Sequence, residues 1–339
     1  MDRSFRALKN LDAGKVRAGA RQFAKNAGLT NRETALLVEA INVRTAADFK
    51  EAIAIAVAHL KAKVRGRPYA LLVESRSRGG GGGGGVKSSE WLAFQVVKVL
   101  GPPTGIVLYD INSDKLGYKS TSGPSNTWAN RTSDRKGLFA AVLDGAKCVV
   151  HLNDAIYSGT QLATLIDRYD RDAYIQMDGG PFNRGPPLFI AAGFGTAYAK
   201  AKHEGLANVY FAKTIASRPD VVNIVAPNMR DSHFYRNLNP ARLLTILPHK
   251  VPNSVSFGMY TNKKLPQGGF RSYFLTDYVK KALGVSYDNA TQLEPYKRVN
   301  VQLGNGNLRA FARTAPRRSS RVLVQRKLRV VAAPTKKKK

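Results

Sequence analysis

The chain has 339 residues, enough for about two domains or for one large α/β domain with extensions. Its 54 Lys and Arg outnumber 23 Asp and Glu, a formal net charge of +31. That excess points to a polyanionic partner, nucleic acid before an anionic membrane surface, unless the cations only solubilise the fold. Hydrophobic content of 43% supports a sizeable core, and no apolar run approaches the roughly eighteen residues of a membrane-spanning helix. The single cysteine, Cys148, excludes an intrachain disulfide and fits a reducing compartment. The first residues lack the apolar centre of a signal peptide, so the expected location is cytoplasmic, nuclear or within a virion, and not secreted.

Residues 1–67 read as a helical N-terminal region. NRETALLVEAI opens with Asn31 as the expected N-cap, and Thr45 starts a second helix whose dense apolar positions suit packing on a sheet. His59 in that helix reads as a surface or boundary residue. Residues 68–75, PYALLVES, form the first expected core strand. A basic, glycine-rich loop follows, with seven consecutive glycines from Gly79 to Gly85, and then the helix around WLAFQVVKVLG. Strand, glycine loop and helix together make phosphate-binding geometry, because glycine lets backbone N–H groups approach an anion. A nucleotide P-loop is a near miss here: Val86 intervenes before Lys87 and Ser88 and displaces the lysine. An inert low-complexity insertion is the other reading.

GIVLYDIN is a second expected strand, followed by a long polar connection over residues 114–137 that contains Tyr118 and Trp128. A helix over LFAAVLDGAK leads into CVVHLNDAIYSGTQL. Residues 148–152 are apolar and β-prone, Asn153 and Asp154 stand at the expected strand end, and the helix begins near Ser158. A strand, a small-residue turn and a helix N-terminus form an anion site, since free N–H groups and the helix dipole both favour a phosphate. His151 reads as a buried, satisfied core histidine. Further on, AYIQM, NVYFAKTIA and VVNIVAP are expected strands, and LFIAAGFGTAYAKAKHEG, residues 188–205, reads as strand, small-residue turn and helix; GFGTA is a weak phosphate signal, and Gly193 and Gly195 read as positions of close strand–helix packing. This alternation predicts an α/β fold: a mainly parallel twisted sheet with helices on both faces in Rossmann-type layering, a helical N-terminal extension and a basic disordered C-terminal tail. The last acidic residue is Glu294, and the basic stretch beyond it suits sequence-independent phosphate contact.

LNDAIYSGTQL resembles the phosphoribosyl-pyrophosphate loop of the type I phosphoribosyltransferases, with its apolar strand, acid pair and Ser/Thr-Gly-Thr cradle. The resemblance extends to LVESRSRGG and WLAFQVVKVLG, similar to that family's pyrophosphate loop and following helix, and to the Gly-Lys turn before the central strand. It spans roughly residues 68–255 and departs at Asn153, where the family has its first acid, and at Pro248 and Asn253, where acids are expected in a late His-Lys segment. The resemblance implies that Asp154 contacts ribose or the water of a bound Mg²⁺, and that Ser158, Gly159 and Thr160 hold a 5′-phosphate. It further implies that Asn153, Ala155, Ile156, Tyr157 and Gln161 complete that loop, and that Arg76, Arg78 and Gly79 face the pyrophosphate. A neutral Asn153 binds Mg²⁺ less well than a carboxylate does. The implied organisation is a helical region 1–67, a phosphoribosyltransferase-like core 68–255, an extension 256–306 packing on the core, and a flexible basic tail 307–339.

Three functions stay open at this point. One is a phosphoribosyltransferase-like protein that binds phosphoribosyl pyrophosphate, ribose 5-phosphate or a nucleotide, with weak or lost transfer and a basic surface for nucleic acid. The second is an active transferase of nucleotide metabolism. The third is a structural nucleic-acid-binding or virion protein on a retired fold. A homodimer is open as well.

Overall fold

The computed structural model describes residues 5, 8–75, 88–110, 115–120, 145–157, 159–175, 185–203, 208–215, 245–249, 262–264, 270–272 and 275–284. Arg76, Arg78, the glycine run, Ser158, the expected helix over 138–144, the VVNIVAP strand, Asn253 and the basic tail lie outside them.

Local signals set the first helices. Asp12 caps α1 (Ala13–Ala27) through the N–H of Lys15, and Gly28, at φ 74°, ends it in the left-handed conformation that glycine adopts without strain. Helix α2 (Asn31–Ala40) is capped by Thr30, one residue before the expected Asn31. Thr30 wins because its hydroxyl takes the Glu33 N–H while the Glu33 carboxylate takes the Thr30 N–H, a reciprocal box that Asn31 cannot form at its own position. After β1 (Asn42–Val43), Thr45 caps the long helix α3 (Ala46–Val64) through the N–H of Asp48.

The main sheet holds β2 (Tyr69–Ser75), β3 (Gly105–Asp110), β4 (Lys115–Ser120), β5 (Cys148–Ile156), β6 (Leu188–Thr196) and β7 (Val209–Ile215), in the order β4-β3-β2-β5-β6-β7. Five strands are parallel; β4 pairs antiparallel with β3 at one edge, Gly105 opposite Ser120. Part of the expected long polar connection is therefore strand, and the rest of it lies outside the described residues. β5 and β6 are buried along almost their whole length, as central parallel strands covered on both sides must be. On one face α3 and α4 (Ser88–Leu100) pack Phe49, Ile53, Leu60, Leu92 and Val96 against Leu71, Val150 and Phe189. On the other, α5 (Thr160–Ile175) and α6 (Ala197–His203) place Leu162, Leu165 and Ala199 against Leu72, Val149 and Ile190.

Two expectations change in this part of the chain. β5 does not end at Leu152 but continues to Ile156, which puts Asn153, Asp154, Ala155 and Ile156 inside a strand. Ala173, Tyr174 and Ile175 of the expected strand AYIQM instead continue α5, and Gln176 and Met177 lie outside the described residues. No glycine or proline interrupts QLATLIDRYDRDAYI, and Leu162, Leu165, Ile166 and Tyr169 keep a helical period.

A smaller cluster joins the two ends of the described chain. The segment β8 (Thr245–Ile246) pairs parallel with β1, and β9 (Asn262–Lys264) pairs with β10 (Phe270–Ser272). Helix α7 (Leu275–Ala282) packs on α1, where Leu275 and Val279 meet Val16, Ala20 and Phe23. Their backbones approach so closely that a Cβ at Gly19 would lie 2.7 Å from the Tyr278 carbonyl.

Candidate functional site

The strand order reverses between β2 and β5. Their ladder runs from Tyr69 opposite Cys148 to Leu72 opposite His151 and stops there. β2 nevertheless pairs with β3 as far as Ser75, and β5 pairs with β6 as far as Ile156. The two strands thus part at their carboxyl ends. In open α/β sheets the crevice formed at such a reversal is where ligands bind.

The β5–α5 turn stands at this edge. Gly159 has φ +69°, and α5 begins at Thr160 rather than at the expected Ser158. A Cβ on Gly159 would come within 2.6 Å of His203 Nε2, so both the backbone conformation and the space require glycine. His203, at the end of α6, donates from Nε2 to the Gly159 carbonyl at 3.1 Å. Burial pushes the His203 pKa down; the Gly159 carbonyl pulls it back up, and Lys202 adds to the lowering. Lys202 brings its Cδ within 3.6 Å of the Gly159 Cβ direction. Thr196 locks the two turns together, donating to the Tyr157 carbonyl at 2.5 Å while its Oγ1 accepts from the Ala199 N–H at 3.0 Å. The N-terminal, positive end of the α5 dipole lies beside Gly159, with the Lys202 side chain on the neighbouring turn.

Asp154 is placed differently. Its side chain is fully buried. Oδ1 accepts from the Ala155 N–H at 2.6 Å, and Oδ2 accepts from His249 Nε2 at 2.8 Å. His249 is itself buried, with its ring 4.8 Å from that of Phe49. Asn153 turns its Oδ1 back onto the Asp154 N–H at 2.8 Å. The alternation of the strand slips here: Leu152 and Ala155 both face the α3 side, as Ala191 and Phe194 do on β6. The side chains of Asn153 and Asp154 serve N–H groups at the slip.

This arrangement does not fit Mg²⁺. That ion binds oxygens in a near-ideal octahedron and keeps several waters. Both oxygens of Asp154 are engaged inside the protein, and the Asn153 oxygen is too. Among the described residues no group of three or more His, Cys, Asp or Glu is placed to hold a metal.

A second acid–histidine pair lies where β2 and β5 part. His151 is fully buried, and its Nδ1 donates to the Leu72 carbonyl at 3.0 Å. A carbonyl can only accept, so Nδ1 carries a hydrogen. Nε2 has no hydrogen-bond partner; the nearest charged atom is Glu74 Oε1, at 3.7 Å. Glu74 is 5% exposed. His151 Nε2 and Glu74 thus face each other at the crevice without a hydrogen bond.

The structure brings Gly159 and Thr160 together with His203 and Lys202. It sets Asn153, Asp154, Ala155 and Ile156 below them in β5; Ala155 and Ile156 are core residues on opposite faces. Gln161 is exposed on the first turn of α5. The Tyr157 hydroxyl donates to the Thr245 carbonyl at 3.2 Å, and burial, reinforced by Asp154 and opposed by Arg44, raises its pKa far above the usual tyrosine range. The residues that motif reading passed over are Glu74 and His203. An acid inside the apolar run YALLVES was a visible signal for Glu74. Nothing local marks His203, which reaches Gly159 across 44 residues of sequence. Comparison with protein-family models, with curated proteins and with solved structures finds no significant match for this chain. Among the described residues no helix is long and apolar enough to cross a membrane.

Proposed function

We propose that this chain is a phosphoribosyltransferase-like protein. It binds the phosphate of phosphoribosyl pyrophosphate, ribose 5-phosphate or a nucleotide at the β5–α5 turn, has weak or lost transferase activity, and uses its basic surface for nucleic acid. One observation carries the reading: a glycine-only turn leads into a helix N-terminus beside the point where the strand order reverses. Gly159 and Thr160 stand at that turn, and Lys202 adds a cation from the next one. The reduced activity follows from the acids. Asn153 is neutral, and Asp154 has both oxygens committed to Ala155 and His249.

Calorimetric titration of the full chain tests this. Phosphoribosyl pyrophosphate and ribose 5-phosphate are expected to bind at submillimolar to millimolar concentration. Thr160→Val and Lys202→Gln are each expected to weaken binding about tenfold, the worth of one charge-assisted hydrogen bond. Absence of binding at millimolar ligand overturns the reading. Steady pyrophosphate release with a nucleobase would instead make the protein an active transferase.

A further inference from the structure

We infer that α1 is a nucleic-acid-binding helix that contacts the phosphodiester backbone through a stripe of Arg17, Arg21 and Lys25. The inference rests on the nucleic-acid half of the proposed function and is independent of the phosphate turn.

The helix reads AGKVRAGARQFAKNA: four basic residues and no acid. Arg17, Arg21 and Lys25 recur every four residues, which places them on one face, and all three are exposed. Two rules of helix electrostatics run against this pattern. Like charges four residues apart repel, and cations near a helix N-terminus, as Lys15 and Arg17 are, oppose the macrodipole.

Internal compensation is missing as well. None of the three side chains makes an ion pair or hydrogen bond with a described residue. The two nearest acids in sequence are occupied: Asp12 caps α1, and Glu33 closes the box at Thr30. Helix α3 shows the ordinary solution, with Asp48 in its first turn and Lys61 and Lys63 in its last. Its acids Asp48 and Glu51 also neutralise Lys213 of β7. The uncompensated stripe of α1 fits an anion supplied from outside.

The spacing selects a polymeric anion. At about 1.5 Å of rise per residue the stripe is about 12 Å long. Each strand of a duplex carries one phosphate per about 3.4 Å of helix axis, so a stripe of this length lies over several phosphates, enough for each of the three cations to meet one. The opposite face of α1 is already used: Val16, Ala20, Phe23 and Ala24 are buried against α2 and α7. The helix therefore has no apolar face to insert into a bilayer. Lys281, exposed on α7 just past the crossing at Gly19, extends the basic surface.

The test is salt-dependent binding of the full chain to duplex DNA and single-stranded RNA, read as the slope of log K against log salt. Arg17→Gln/Arg21→Gln/Lys25→Gln keeps helix propensity and relieves repulsion, so circular dichroism and thermal melting should show an intact fold. Its slope on duplex is expected to fall in magnitude by about 2.7, the release of counterions from three phosphates. The control Lys61→Gln/Lys63→Gln/Arg65→Gln removes the same charge from the end of α3 and is expected to change the slope far less. An unchanged slope in the α1 variant overturns the inference while leaving nucleic-acid binding by the chain intact. An equal fall in both variants overturns it in favour of diffuse net charge. Wild-type chain that binds neither nucleic acid, or that binds anionic vesicles through the same three residues in preference, removes the nucleic-acid half of the proposed function together with the inference.

Discussion

Two buried acid–histidine pairs flank β5, and they are built in opposite ways. In the Asp154–His249 pair every carboxylate oxygen has a donor: His249 Nε2 at 2.8 Å and the Ala155 N–H at 2.6 Å. In the Glu74–His151 pair the nearest atoms are 3.7 Å apart, and the ring nitrogen that faces the acid has no hydrogen-bond partner. The first pair is closed and sits within a continuous strand. The second lies at the crevice where the ladder of β2 and β5 ends. The acid in the recognisable motif thus has the structural position, and the acid outside any motif has the one at the crevice.

The same chemical change, carboxylate to amide, should separate the two. Asp154→Asn is the larger effect. An amide offers one acceptor and one NH₂, so one of the two donors around Asp154 loses its partner and meets another donor. Breaking a buried charged pair typically costs about 3–5 kcal/mol, and a loss of that order is expected in the denaturation midpoint. Replacing both partners together, Asp154→Leu with His249→Phe, should recover much of it, because no unpaired polar group then stays behind. If Asp154→Asn costs less than about 1 kcal/mol, the pair is not closed. The variant is not expected to lower affinity for ribose 5-phosphate, since neither oxygen faces the turn that is proposed to hold the phosphate.

How far this contrast could be read in advance differs along the chain. The α/β class, the strands β2, β3 and β7, the first part of β6 and the helix α3 follow from apolar runs and turn residues, and those are local signals; the expected small-residue turn at GFGT is instead the end of β6. The end of β5 was not legible. Asn153 and Asp154 are turn formers by local preference, yet their side chains serve the N–H groups at the slip in the ladder and let the strand continue to Ile156. AYIQM was misread because a five-residue apolar window does not distinguish a strand from the last turns of an amphipathic helix. Gly159 and Thr160 were legible as a cradle, but His203 and Lys202 come from a helix whose position depends on the packing of β6 against β5.

Glu74→Gln is expected to run the other way. The amide can donate to His151 Nε2, which has no hydrogen-bond partner, while the ring keeps its bond to Leu72. Stability should stay level or rise by up to about 1 kcal/mol, the net worth of one hydrogen bond. A loss of 3 kcal/mol or more would show that Glu74 and His151 form a charged pair like the other one, and the contrast between the pairs would fail.

The smallest expected effect belongs to the third histidine at this edge. Burial lowers the His203 pKa below its unfolded value, with the Gly159 carbonyl working against the shift. Over the pH range between the two values, the unfolded chain binds more protons than the folded one. Stability therefore rises with pH through that range and is lost on acidification below the ordinary histidine region. His203→Gln can keep a donor to the Gly159 carbonyl without titrating, so it should flatten this part of the profile of unfolding free energy between pH 7 and 5. An unaltered profile would mean that the ring charges freely in place. His203 would then add a positive charge to the phosphate turn in acid, and phosphate affinity should rise on acidification in the wild type alone.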